Sequence, residues 1–249
     1  MSSTMLSEPG TPAAVTALLN QFAAFRAIDL THRMEPGMPT WPTHPAFRHP
    51  LLESYAQGDV SCHYGITCGE HTGTHLDAPR HFIDAAAGGW SIDEALIDQF
   101  LGRILVIDGT AIAPDGVLGA ADVEAWEAAH GAIAAGDAVF IHFGWDRFWS
   151  TPATHDAVLA DWPGLSVEAC ALLVARKIRL AGSDCLSLDR FSSVDYPAHR
   201  ALLGNGIMIG ENFASLGELP PICFGAIMPL PIAQGSGSPV RAIAFVPRD

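Results

Sequence analysis

Three short apolar runs in the middle of the chain, residues 103–108, 138–142 and 179–182, alternate with segments whose apolar positions recur at helical spacing. That alternation leaves few folds open. The intervening helices are predicted over Ala120–His130 and over 167–177, the latter capped by Ser166. Further strands are expected at 26–31, 207–209, 222–230 and 240–246, with a short helix at 198–203. Strands and helices alternating in the centre, with strands crowding both ends, predict a single α/β domain. Its mixed β-sheet is expected to be partly closed into a barrel and flanked by helices.

Local signals add detail. Thr11 before Pro12 reads as a helix cap, and Val15, Leu18, Leu19, Phe22 and Phe25 follow helical spacing, so residues 1–26 are expected to form an N-terminal helical extension to a domain spanning 27–249. The stretch 35–50 must be irregular because its prolines lack backbone donors, and it carries Trp41 and Phe47. Val60, Cys62, Tyr64, Ile66 and Cys68 alternate with polar residues, the period of a half-buried strand. Ser91 and Glu94 form a capping box ahead of a helix at 95–100, with Gly102 as its stop.

Composition narrows the function. A formal charge of −14 offers no basic stripe for phosphates or anionic lipid, so neither nucleic acid nor membrane is expected as a partner. Five cysteines without a Cys-x-x-Cys pair suit neither a disulfide framework nor a thiolate zinc knuckle. With no signal-like N-terminus and no apolar run of membrane-spanning length, a reducing cytoplasm is the expected location.

Chemistry concentrates in one segment. His71, His75, Asp77 and His81 fall within eleven positions, a density of ligand-type side chains that a solvated loop has little reason to assemble. Gly73 loosens any helix there and Pro79 drives Ala78 toward extended geometry, so a tight turn leading into extended chain is expected. His75 and Asp77 then share a face. Two imidazoles and a carboxylate leave coordination positions open, which suits a catalytic rather than a structural metal and leaves His81 free as a base. A single histidine of the four is as readily a hydrogen-bonded structural residue, but four together are not. His71 and His75 also have zincin spacing, yet Thr72 stands where that motif needs its glutamate base.

The segment matches His-x-Gly-Thr-His-x-Asp-x-Pro-x-His-Phe at every fixed position, through Phe82. In this it resembles the cyclase, or bacterial kynurenine formamidase-like, metal-dependent hydrolases. The likeness extends to Leu186 through Asp189, to Pro197, His199 and Gly204, and to Glu211 and Asn212. The closing Gly235 to Arg241 stretch is similar to relatives that open isatin. The resemblance implies a swivelling β/β/α-like domain. It also implies that His71, His75 and Asp77 bind a first Zn2+ or Mn2+, that Asp77, His199 and Glu211 can hold a second, and that His81 is the base. A homodimer is implied as well, with the Trp41 loop completing the neighbouring site.

The expected reaction is hydrolysis of a non-peptide C–N bond in a small aryl formamide or cyclic amide. Trp41, Phe47 and Phe82 are candidate substrate contacts, with Trp90, Trp145 and Trp149 as further aromatics for a flat ring. Trp41 and Pro42 resemble formamidases, but Thr43 and His44 replace their Gly-Asp, which argues against N-formylkynurenine; Glu211, conversely, resembles the dinuclear formamidases more than isatin hydrolases. Two other readings use the same residues. His75, Asp77 and His199 match the facial triad of non-haem iron oxygenases, and the cluster also suffices for a non-catalytic metal-binding protein.

Overall fold

The computed structural model describes residues 12–150 and 155–248. Eight strands form the main sheet: β1 (Phe25–Asp29), β2 (His75–Asp77), β3 (Leu101–Asp108), β4 (Ala138–His142), β5 (Leu180–Ser183), β6 (Met208–Glu211), β7 (Ile222–Pro229) and β8 (Gly237–Pro247). Strands β3, β4, β5 and β6 run parallel in that order, β7 pairs antiparallel with β3 and β8, and β2 pairs antiparallel with β6. The start of β8 returns to β2, with Gly237 opposite Asp77 and Pro239 opposite His75, and this pairing closes a seven-strand barrel. Strand β1 lies outside the ring, paired to β8.

The parallel strands read as continuous apolar runs because both of their faces are buried. Leu105, Ile107, Val139, Ile141 and Ala181 face a cluster that includes Val123 and Trp126 of α2 (Ala120–His130), Leu173 of α3 (Val167–Ala175) and Leu202 of α4 (Pro197–Gly204). Their neighbours Ile104, Val106, Ala138, Phe140 and Leu180 point inward, to Leu76, Phe213, Ala242 and Ala244. The strand period of two thus sorts one apolar run between barrel interior and helical layer. Phe140 and Phe213 meet edge to face at 4.6 Å inside the barrel, each burial worth about 1.5–3 kcal/mol.

Several expectations need correcting. Only His63–Tyr64 of the stretch 60–68 is strand, paired with Leu51–Glu53 in a ribbon, and Val60 is 97% exposed. Alternation without a core to face buries neither side. The Ser91 capping box forms, Ser91 N donating to Glu94 Oε2 at 2.7 Å, but it opens only a 3-10 turn, Ile92–Glu94. Ala95 and Leu96 are extended, and Gln99 Oε1 then accepts from Leu96 N at 2.9 Å to start a second turn, Ile97–Phe100. Buried Ile92 and Phe100 anchor the two turns separately while Leu96 and Ile97 stay exposed, so no amphipathic helix is required. Gly102 lies within β3 rather than ending a helix.

Helix α1 (Ala13–Ala23) forms, but Pro12 is its N-cap rather than its first helical residue, and Phe25, expected on this helix, opens β1 because the chain leaves the helix at Ala24 to pair with β8; Thr11 lies outside the described residues. Among the described residues no helix is long and apolar enough to cross a membrane.

Candidate metal centre and its cavity

Gly73 makes the turn that sets the site, at φ +65°, where a Cβ would stand 2.9 Å from the Met38 methyl. The chain then enters β2, and His75 and Asp77 share one face, as the spacing predicts. Strand β6 sets Glu211 opposite His75, and α4 brings in His199 as its third residue.

Both of these histidines are held by their Nδ1 edge. His75 Nδ1 lies 2.8 Å from Gly73 O, which also accepts from Asn212 Nδ2 at 3.1 Å. His199 Nδ1 lies 2.7 Å from Asp189 Oδ2, while the other Asp189 oxygen accepts from Ala198 N at 2.8 Å. With Nδ1 donating, Nε2 is the atom that each ring turns toward the carboxylates. His75 Nε2 is 3.4 Å from Asp77 Oδ1 and 3.4 Å from Glu211 Oε2; His199 Nε2 is 3.4 Å from Asp77 Oδ2 and 3.3 Å from Glu211 Oε1.

These four separations carry the assignment of the site. Ligands ~2.0–2.1 Å from one ion stand ~3.3–3.4 Å from each other, and His75, Asp77 and Glu211 offer three atoms within 4.8 Å of one another, while His199 reaches the opposite oxygen of each carboxylate. The four separations are also long for hydrogen bonds, and Asp77 Oδ2 and Glu211 Oε1 are buried without a donor. The donor set of imidazoles and carboxylates fits a divalent cation. Electrostatics agree. Burial alone pushes the His75 ring toward neutrality, yet bonding to Asp77 and Glu211 raises its pKa to about 10. Burial opposes the Asp77 carboxylate too, but the charges of His71 and His81 and the bonds from His199 and His71 hold it well below the usual range. The nest is built for positive charge.

His71 approaches from the other side, its Nδ1 2.6 Å from Asp77 Oδ1. His81, on the turn Pro79–His81, lies nearly flat over His71 with ring centroids 3.9 Å apart. Burial is the largest influence on His81, ahead of the Asp77 charge that opposes it, and lowers its pKa to about 4. Its imidazole is neutral at pH 7 and able to accept a proton.

A cavity of about 240 Å³ opens above these groups, walled by Trp41, Phe82, Tyr196, Leu186 and His44. Among the described residues, neither Lys nor Arg lines it. Of the expected substrate contacts, Trp41 and Phe82 line the cavity. Phe47 does not; it is buried beside His49 within its own loop. Trp145 belongs to the helical core, Trp90 packs against the barrel core, and Trp149 stacks on His32. Sequence reasoning missed Tyr196 and the orienting role of Asp189. Tyr196 has left-handed backbone at φ +49° just before Pro197, a conformation that nothing in its own identity announces.

The Cyclase family model matches residues 28–190. The isatin hydrolase of Roseibium aggregatum is 31% identical over 89% of this chain and 92% of its own. A kynurenine formamidase of Erythrobacter litoralis is 28% identical over 88% and 93%. The crystal structure of an isatin hydrolase bound to the product analogue thioisatinate superposes with a TM-score of 0.86 at 29% identity, covering 96% of this chain and all of that one. A barrel of this topology, the complete histidine motif and a match over most of the chain agree: the chain belongs to the Cyclase family.

Proposed function

We propose that this protein is a metal-dependent amidohydrolase that opens a neutral, flat, cyclic aryl amide of the isatin type. The observation that carries this reading is the pair of buried imidazoles whose Nε2 atoms each reach both carboxylates at 3.3–3.4 Å, beneath a cavity walled by aromatic rings. His75, Asp77 and Glu211 would hold one divalent cation, zinc or manganese, with His199 on the far oxygens of both carboxylates and His71 beside Asp77 extending the site toward a second. When bound, the cation supplies Lewis acidity to the amide carbonyl and acidifies water. Trp41, Phe82 and Tyr196 sandwich the substrate ring and exclude solvent. Neutral His81 Nε2 or Nδ1 takes the proton of the attacking water and returns it to the departing nitrogen.

The absence of Lys and Arg from the walls favours a neutral ring over N-formylkynurenine, whose amino-acid carboxylate finds no fixed cation there. An oxygenase reading fits less well: Glu211 reaches both histidines, making four protein groups where a facial triad has three. The homodimer implied by the resemblance is kept as part of the proposal. The uncharged helix α1 exposes Leu18 and Phe22, and the 51–67 ribbon exposes Leu52 and Ile66, apolar surface that a second copy suits.

Purified protein loaded with zinc or manganese is expected to hydrolyse isatin or a related lactam faster than N-formylkynurenine, and to lose that activity to a chelator. Turnover that survives complete chelation, or stoichiometric metal with no hydrolysis across an amide panel, overturns the proposal.

A further inference from the structure

We propose that Glu70 and Ser236 are positioning residues that fix the tautomer of His71, so that this ring offers Nδ1 to a cation while His75 and His199 offer Nε2. The inference rests on the reading of His71 as a metal ligand.

Ser236 N and Ser236 Oγ both donate to Glu70 Oε2, at 2.9 and 2.6 Å. A hydroxyl has one proton and a carboxylate has none to give, so the Ser236 proton is committed to Glu70. The same Oγ lies 2.9 Å from His71 Nε2 and has only lone pairs left for it. His71 Nε2 must therefore carry a proton. Nδ1 lies 2.6 Å from Asp77 Oδ1 and donates to it, and the proton in that bond is the one a cation would displace, leaving Nδ1 as the ligand atom and the Nε2 proton in place. The opposite arrangement holds for His75 and His199, whose Nδ1 edges face Gly73 O and Asp189 Oδ2.

The backbone dictates this relay. Glu70 is adjacent to His71 in the chain, and Ser236 precedes Gly237, which pairs with Asp77 where β8 closes the barrel. The strand pairing that seals the ring thus also delivers the hydroxyl that sets the ligand. Carboxylates behind a ligating histidine orient the ring and raise its basicity, and losing such a partner costs roughly 10–100-fold in metal affinity.

Zinc affinity measured by chelator competition on Glu70→Gln, Ser236→Ala, Ser236→Thr and His71→Ala tests the relay, with melting of the metal-free proteins as a control for folding. Glu70→Gln and Ser236→Ala are expected to bind zinc roughly 10–100-fold more weakly, and Ser236→Thr, which keeps the hydroxyl, to restore binding. Wild-type affinity in both Glu70→Gln and Ser236→Ala, beside a weakened His71→Ala, overturns the relay and leaves His71 a ligand. Wild-type affinity in His71→Ala overturns the ligand reading itself. Should the variants not fold, histidine 15N NMR of the zinc-loaded wild type decides: a proton on His71 Nε2 is expected, and a proton on Nδ1 overturns the proposal.

Discussion

Asp77 and Glu211 lie diagonally across two antiparallel strands, Asp77 opposite Ile209 and Glu211 opposite His75, and each keeps one buried oxygen without a hydrogen-bond partner. Two buried carboxylates in this state destabilise the fold unless a cation joins them. Adding zinc or manganese to chelated protein is therefore expected to raise the melting temperature. At a hundredfold excess over Kd the gain is about 2.7 kcal/mol, or ~5–10 °C for a chain of this size. Glu211→Gln should shrink that increment, and calorimetry with and without metal measures both. An unchanged melting temperature on metal addition counts against the site.

His81 supplies a pH signature. Activity by this base requires the neutral ring, and with a pKa near 4 it stays neutral from alkaline pH down to about pH 5. The acid limb of kcat/KM that belongs to His81 is thus expected near pH 4, falling tenfold per unit below it, not near 6.5. His81→Ala should lose roughly 10²–10⁴-fold in kcat with metal content unchanged. A pH profile whose His81-dependent limb sits at 6.5 contradicts the neutral, buried base.

How much of this was legible in the sequence depended on whether local period and global packing agreed. Strands β3 and β4 and helix α2 were readable because their apolar positions follow the period they adopt. The turn at Gly73 and the shared face of His75 and Asp77 were readable for the same reason, since side chains two apart in a strand point one way. His199 and Glu211 were not readable from local pattern: α4 and β6 meet β2 only through the closed sheet, and only resemblance to a family named them. Asp189 escaped because its role is to hold another side chain, and the 60–68 stretch misled because alternation says nothing about whether a core exists to receive it.

Gly237 offers a structural test of the link between barrel closure and ligand placement. A Cβ there would sit 2.6 Å from Leu76 O and 2.6 Å from His71 Cε1. The carbonyl belongs to the β2–β8 seam and cannot withdraw, so either the seam opens or His71 moves. Gly237→Ala is expected to cost about 1–3 kcal/mol and to weaken metal binding together. Urea unfolding of the metal-free protein and a zinc titration read the two effects. Loss of neither places the seam and the ligand under separate control.

His32 carries the last prediction, away from the metal centre. Its ring stacks on Trp149 at 4.2 Å and 9°, and its Nε2 is buried without a partner. Burial lowers its pKa from 6.5 to about 4, with the Asp146 charge opposing. Between pH 6.5 and 4 the unfolded chain binds a proton at His32 that the folded one refuses, so folding stability rises with pH across that window. The contribution is fully present above pH 6.5 and is lost as pH falls through 4, with an amplitude on the order of 3 kcal/mol. His32→Phe keeps a ring against Trp149 and removes the titration. Urea unfolding at pH 7, 5.5 and 4.5 is expected to show wild type losing more stability than His32→Phe on acidification. Parallel losses in the two proteins would mean that His32 titrates alike folded and unfolded.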